Sequence, residues 1–589
     1  MQNDHSMVQL LKSLLPHITS RRRKQFALVF LLMIFSTLAE VISIGSVMPF
    51  LAVLADPIMV FEHPAAQPIV KLLEITSPDG LVIPLVTSFG VAVVISGFTR
   101  MLLIWANIKF SNAIGADLSI SLYDHMLNQP YLFHVNKNSS ELITGISKAD
   151  GIVGEVITPI LTITTSVLIL ISALILILST RSSAILFVSI VFIGVYYLIT
   201  RVTRKRQRID SGIIARESTK ILKAVQEGLG GIRDVLIDGN QNIYREIFRK
   251  SDIPIRHAKA NNSFLGAIPR YMLETIGIVF IILLAYRLFQ ASDNISTIIP
   301  IIGIIVLGFQ RILPIMQQGY EAWVRMRGSK AAFHDVVDLF DAMKSTHLSI
   351  VPEEKLPFKK DIKLKQLVFK YSKQTPRVLN DIDLTITKGS RVGIIGKTGC
   401  GKSTLLDVIM GLLQPTTGSL EVDNVPITIN NYSAWQSNIV HVPQSIYLSD
   451  STIEENIAFG VPVDMINHER IRQVANQAQI SEVIENWPQQ YQTFVGERGI
   501  RLSGGQRQRI GIARALYKYA NVIILDEATS ALDSKTEESV MQNIENISDD
   551  ITIIIVAHRL STLKDCTLVV ELDKGRIVRM GDYEEIVSC

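Results

Sequence analysis

Cysteine is scarce: the 589-residue chain has three, Cys400, Cys566 and Cys589. So few, all in the C-terminal part, exclude a disulfide framework and place that part in a reducing compartment. Net charge is also small, +4 at pH 7, so nothing indicates a nucleic-acid partner and the position of the basic residues carries the information. No low-complexity tract and no repeat of solenoid period occurs. The first 25 residues, "MQNDHSMVQLLKSLLPHITSRRRKQ", hold no small-residue cleavage site after their short amphipathic run. They read as an interfacial helix leading into a retained anchor.

Apolar residues are abundant. They make up 48% of the chain, too many for a wholly soluble protein of this length. Six runs reach the roughly 20 residues a bilayer-crossing helix needs, near 25–54, 82–106, 155–179, 183–203, 264–288 and 296–318. The third and fourth are joined by the short "TRSS", which forces an antiparallel hairpin. "RRRK" precedes the first run and "RVTRKRQR" follows the fourth, whereas 56–80 and 289–295 carry only Lys71. By the positive-inside rule both termini are expected in the cytoplasm. The stretches at 107–152 and 204–262 are helical in period but too polar for lipid, so they should extend the spans into the cytosol. Hydropathy drops after Trp323, "VPEEKLPFKK" supplies a linker, and strand and helix patterns then alternate to the end. The expected domains are 1–335, an all-α transmembrane domain, and 336–589, an α/β P-loop domain.

The second domain carries a phosphate-binding pattern. "RVGIIGKTGCGKSTLLDVIMGLL" is a strand, a glycine loop and a helix, with G-x-x-x-x-G-K-S running from Gly396 to Ser403. The loop, Gly396, Lys397, Thr398, Gly399, Cys400, Gly401 and on into Thr404, lets backbone N–H groups face a phosphate. Lys402 would reach the β and γ oxygens of ATP, and Ser403 would ligate Mg²⁺. A second strand, in "NVIILDEATSALD", ends in Asp526 and Glu527. One carboxylate suits the metal's water shell and its neighbour suits the attacking water. Cys400 fills a variable loop position, read as a small residue.

Between these motifs lies "RLSGGQRQRIGIARAL", and Leu502 to Gln506 resemble the signature motif of the ABC transporters. The resemblance covers essentially the whole chain, since six spans followed by one such ATPase is the layout of an exporter half-transporter. It implies that Tyr371 stacks on adenine, that Gln444 belongs to the loop that senses the metal, that "SALD" ending at Asp533 is the D-loop, and that His558 is the switch histidine. Ser503, Gly504, Gly505 and Gln506 would cradle an ATP held by a second copy, so a homodimer with two composite ATP sites is implied. Catalysis would fall to Glu527, His558 and Gln444, and metal binding to Ser403, Gln444 and Asp526. The resemblance also places coupling helices near "NSSELITGISK" and "LGGIRDVLIDGNQ".

Three arginines lie in or beside apolar spans: Arg100, Arg270 and Arg311. An arginine at the centre of a bilayer-spanning helix costs at least about 2.5–3.5 kcal/mol, so such residues face a cavity or a counter-charge. A cavity lined by arginines suits a pyrophosphate or similar anion. The competing reading is local neutralisation: Glu274 follows Arg270 by four residues, and Glu40 and Glu155 lie in or beside spans. "IPRYMLETIG" and "FQRILP" resemble bacterial flippases of lipid-linked oligosaccharides of the PglK type. An outer helix carrying Ile69, Leu72, Leu73 and Ile75 on one side would either engage a polyprenyl tail or merely cap its loop. The resemblance implies a multi-pass protein of the bacterial inner membrane that moves a lipid-linked glycan outward, with export of drugs, peptides or simpler lipids as the alternative. A membrane-bound, ATP-gated regulator is a third reading, which an intact Glu527 disfavours.

Overall fold

The computed structural model describes residues 7–64, 66–72, 74–179, 183–291, 295–343, 355–545, 550–557 and 560–587. The chain divides into two compact units, Met1–Leu127 with Lys137–Ser345, and Asn128–Asn136 with Thr346–Cys589. The boundary expected at 335/336 falls inside a helix, Lys330–Met343, which remains with the first unit.

The first unit is helical. Short α1 (Met7–Leu14) precedes α2 (Ser20–Gly45) and α3 (Val47–Ala55). The break falls where Pro49 lacks an N–H and its ring crowds the carbonyl four residues back, that of Gly45. Short helices α4 (Pro57–Glu62) and α5 (Gln67–Leu72) follow, then α6 (Val82–Leu127). After α7 (Tyr131–Asn136) of the second unit come α8 (Ser139–Ile152), a π-helical turn at Val153–Ile157 and α9 (Thr158–Ser179). The unit closes with α10 (Ser183–Gly230), α11 (Ile232–Ile237), α12 (Gln241–Ala291), α13 (Ile295–Gly328) and α14 (Lys330–Met343).

Unlike those of a soluble bundle, these helices set polar residues among the apolar ones they bury and present large apolar residues outward. On α2 the buried stripe includes Ser36, Thr37, Glu40 and Ser43, while Leu28, Phe35 and Ile42, seven residues apart, face outward at 61–68% exposure. Lipid rewards that arrangement, because small and polar groups pack between helices and apolar ones meet the chains. Among the described residues, four helical runs are long and apolar enough to cross a membrane: Ser20–Leu54, Pro78–Leu127, Ser139–Ile175 and Gln241–Arg287. The expected spans 183–203 and 296–318 open α10 and α13, much of whose side-chain detail lies outside the described residues. Arg22 of "RRRK" clamps Asp117 with two bonds, Nε to Oδ2 at 2.9 Å and Nη2 to Oδ1 at 3.0 Å, tying α2 to α6.

The second unit holds two sheets. An antiparallel sheet has the order β2-β1-β4-β5, with β1 Asp361–Phe369, β2 Leu379–Thr387, β4 Thr417–Val422 and β5 Val425–Pro426. The larger sheet has the order β10-β9-β3-β8-β7-β6. Its strands are β3 Arg391–Ile395, β6 Ile439–Val442, β7 Val522–Asp526, β8 Thr552–Val556, β9 Leu568–Asp573 and β10 Arg576–Gly581. From β9 to β6 all neighbours are parallel. Such strands are covered on both faces and therefore read as continuous apolar runs: all five residues of β8 are buried, as are the first four of β7. A parallel sheet of this kind presents its ligand site at the strands' C-terminal ends.

Candidate functional site

Strand β3 ends at Ile395, and the next six residues turn through a loop into α15 (Lys402–Ile409). Gly396 has φ +149°, and a Cβ there would lie 2.2 Å from the Leu572 carbonyl oxygen and 2.7 Å from Cys400 Sγ. Gly401, the residue before α15, has φ +109°. Only glycine fits this approach of the loop to β9. Lys402, buried at the start of α15, folds back into the loop and donates from Nζ to the carbonyls of Gly396 at 2.7 Å and Lys397 at 3.3 Å. Ser403 is exposed beside it.

Asp526 closes β7, and Glu527 follows with φ +50°, its N–H donating to the Val556 carbonyl of β8 at 3.0 Å. Gln444 Nε2 donates to Glu527 Oε2 at 2.5 Å. Burial pushes the Asp526 carboxyl up, repulsion from Glu527 adds to this, and Lys402 opposes it. Asp407, on α15, is pushed up to about 6 by burial and by Asp526. Two acids held above their ordinary range mark a place where negative charge is under-compensated. The glycine cradle, the inturned lysine and these acids fit a nucleotide with a divalent cation. Asp407 was missed in the sequence. Its only signal there is an acid within the apolar stretch "LLDVIMGLL".

Tyr371 has its ring at 5.0 Å from that of Phe369, and its hydroxyl shares a hydrogen bond with Thr404 Oγ1 at 3.1 Å. Ser503 caps the helix Gly504–Tyr517 in a reciprocal capping box: its hydroxyl accepts from the Gln506 N–H, and Gln506 Oε1 accepts from the Ser503 N–H. Gln508 on this helix bonds Ser530 and the Ala531 N–H, fixing the "SALD" turn to it. His558 lies outside the described residues.

The expected coupling segment 138–148 forms most of α8 and stays with the first unit. Thr144 and Ala149 are buried there, and Lys148 pairs with Asp335 of α14 at 2.6 Å. Its neighbour α7 joins the ATPase unit instead. Leu132 packs on the core that includes Phe358 and Leu405, and the Tyr131 hydroxyl is pushed up by burial, with Asp407 and Tyr371 adding to it. In the other expected segment, α11 exposes Leu236 at 59% and Ile237 at 72%.

Within the first unit, Arg100 of α6 and Arg311 of α13 line one cavity of about 340 Å³ together with Glu40, Ser96 and Gln310. Arg311 Nη1 donates to Glu40 Oε1 at 3.2 Å, and Ser96 Oγ donates to Glu40 Oε2. Arg100 Nη2 reaches Gln318 Oε1 at 3.5 Å. Arg270 is on the exposed side of α12, with its guanidinium 5.8 Å from the Tyr271 ring, and does not line this cavity. Two of the three arginines therefore meet. Of the helix expected at the outer surface, Val70 is buried with Val53 and Leu81, and Ile75 packs on them; Leu73 and the side chains of Ile69 and Leu72 lie outside the described residues.

Two family profiles match the chain: ABC transporter transmembrane region over residues 29–307, and ABC transporter over residues 379–530. Relatives matched over most of their length accompany them. An ATP-dependent lipid A-core flippase of Cupriavidus metallidurans is 27% identical over 82% of this chain and 81% of its own. One from Legionella pneumophila (strain Paris) is 29% identical over 86% and 85%. A bacterial Atm1-family ABC exporter with ATP bound shares the fold, with TM-score 0.75 and 20% identity over 96% of both chains. The chain belongs to the ABC transporters. Within them it is an exporter half-transporter, one transmembrane region followed by one ATPase domain, and it couples ATP hydrolysis to transport across a membrane.

Proposed function

We propose that the protein flips a lipid with an anionic headgroup, a polyprenyl pyrophosphate-linked glycan, from the inner to the outer leaflet of a bacterial inner membrane. Both termini and the ATPase domain would be cytoplasmic. The observation that carries this reading is the cavity shared by Arg100 and Arg311, whose planar donors match phosphate oxygens. The names of the relatives support a lipid as cargo, since lipid A-core is itself a large amphipathic headgroup-bearing molecule. They do not select between it and a lipid-linked oligosaccharide, and the test below includes both.

Two copies would act together. Ser503, Gly504, Gly505 and Gln506 open a helix whose N–H groups suit a phosphate, so each composite site would join this turn to a partner's Gly396–Thr404 loop. Exposed apolar surface on α11 and around Tyr447, Val463 and Met465 of the ATPase unit supports docking between copies. In each site Lys402 would release its loop carbonyls to hold the β and γ oxygens, Tyr371 would stack on adenine, and Glu527 would accept a proton from the attacking water, with His558 beside the γ-phosphate. Ser403, Gln444 and Asp526 would hold Mg²⁺, which supplies charge neutralisation for the phosphates.

Purified protein in vesicles, given a lipid-linked oligosaccharide, lipid A-core and a zwitterionic phospholipid in parallel, tests the reading. ATP-dependent protection of the first from an outside enzyme supports it. Transport of lipid A-core alone would reassign the cargo. Transport of none, with ATPase activity intact, would favour export of drugs or peptides.

A further inference from the structure

The Arg311 that lines the cavity already has an anion. Glu40, on α2, is buried, yet its two carboxylate oxygens are both engaged from other helices, one by Arg311 of α13 and one by Ser96 of α6. These three residues lie on the cavity wall with Arg100, so its charged lining is two cations and one anion. A buried ion pair is retained only where hydrogen bonds complete it, and removing one partner leaves the other uncompensated. Here the completing bond comes from Ser96. Arg311 keeps 28% of its side chain exposed, against 7% for Glu40, so the cation faces the cavity while its counter-charge is set into the wall.

From this geometry we infer that Glu40 competes with the cargo for Arg311. Resting on the flippase reading above, the inference is that the cargo's diphosphate takes Arg311 from Glu40, releasing the bond that ties α2 to α13. A singly charged headgroup satisfies the net positive charge with Glu40 still in place; a diphosphate needs both arginines. A doubly or triply charged headgroup therefore breaks the Glu40–Arg311 bond, and the singly charged phospholipids that surround the protein leave it in place. Bidentate contact to each arginine supplies the replacement bonds.

The test is direct binding of farnesyl pyrophosphate, with farnesyl monophosphate and farnesol as controls. It uses the full-length protein in nanodiscs, with the ATP sites saturated with ADP. Glu40→Gln is expected to bind the diphosphate about tenfold more tightly than the parent, and the monophosphate, which leaves the Glu40 pair in place, more tightly by a smaller factor, so that discrimination between the two rises. Ser96→Ala, which keeps the ion pair and removes its anchor, should move both in the same direction by a smaller factor and serves if Glu40→Gln folds poorly. The gain must vanish when Arg311→Ala is added. Unchanged or weaker diphosphate binding in both single variants overturns the inference, as does a gain that persists without Arg311, or no diphosphate binding by any form. These results are distinct from failure of the flippase reading, which is judged by transport of the parent protein alone.

Discussion

Gln444 and Glu527 are joined by a hydrogen bond of 2.5 Å from amide to carboxylate, linking the loop after β6 to the end of β7. The bond orients an acid whose backbone already sits in a sparsely used conformation, φ +50°. A general base needs its orientation fixed before the reaction begins. Glu527→Gln should lower steady-state ATP hydrolysis by about 100-fold or more while leaving ATP affinity within a few-fold. Phosphate release and nucleotide binding, measured on one preparation, check this. Equal losses of both would assign Glu527 to binding.

Gly396 makes a prediction about the loop. Alanine there would place a methyl carbon 2.2 Å from a backbone oxygen of β9, where no rotamer change relieves the overlap. Gly396→Ala should abolish ATP binding or lower the melting temperature of the ATPase domain, with a cost of about 3 kcal/mol or more. Gly399→Ala, at φ +82° in open space, should cost less. The order of the two variants is the readout.

Asp407 sets a pH dependence of opposite sign to most carboxylates. In the folded protein it keeps its proton up to about pH 6, whereas the unfolded chain loses it near 3.8. Between those values the folded state binds more protons, so this group's contribution to stability falls as pH rises and is flat above about 6. Asp407→Asn should remove that decline and stabilise the nucleotide-free ATPase domain at pH 7 by about 1–2 kcal/mol, allowing for partial hydration. Trp435, fully buried in this unit, gives a fluorescence signal for the melt. Identical pH profiles for the two proteins would remove Asp407 as the cause.

Leu236 and Ile237 on α11 are apolar and open to solvent. A transporter that docks this helix on a partner ATPase should lose coupling when the surface is charged. Leu236→Asp with Ile237→Asp is expected to retain ATP hydrolysis and lower transported cargo per ATP by at least about tenfold. Both rates in one vesicle preparation decide it, and an unchanged ratio would exclude α11 from the docking surface.

The ATP site was legible because its chemistry is local: a glycine loop between a strand and a helix, and two acids at a strand's end, are short-range patterns with few alternative meanings. The long helices were legible from hydropathy. Contacts made across helices were not. Periodicity cannot show that Glu40 meets Arg311, 271 residues away, or that Arg270 turns to the other side of its helix. Nor could it separate 138–148 from 128–136 as the segment belonging with the ATPase, because both are polar and helical, and what distinguishes them is that Leu132 finds an apolar core. Asp407 escaped for a related reason, since its raised affinity for a proton comes first from burial in the fold and then from Asp526, far along the chain.

The unbroken length of α6 has its own consequence. At 46 residues and 1.5 Å per residue it is a rod of about 70 Å, more than twice a bilayer's hydrocarbon thickness of about 30 Å. A stiff rod conveys tilt without loss, so one degree at one end displaces the other by about 1 Å. Arg22 and Asp117 grip that rod near its C-terminal end, while Ser96 and Arg100 stand nearer its middle beside the cavity. Small rotations there are enough to remake or break a hydrogen bond, and nothing needs to unfold on the way.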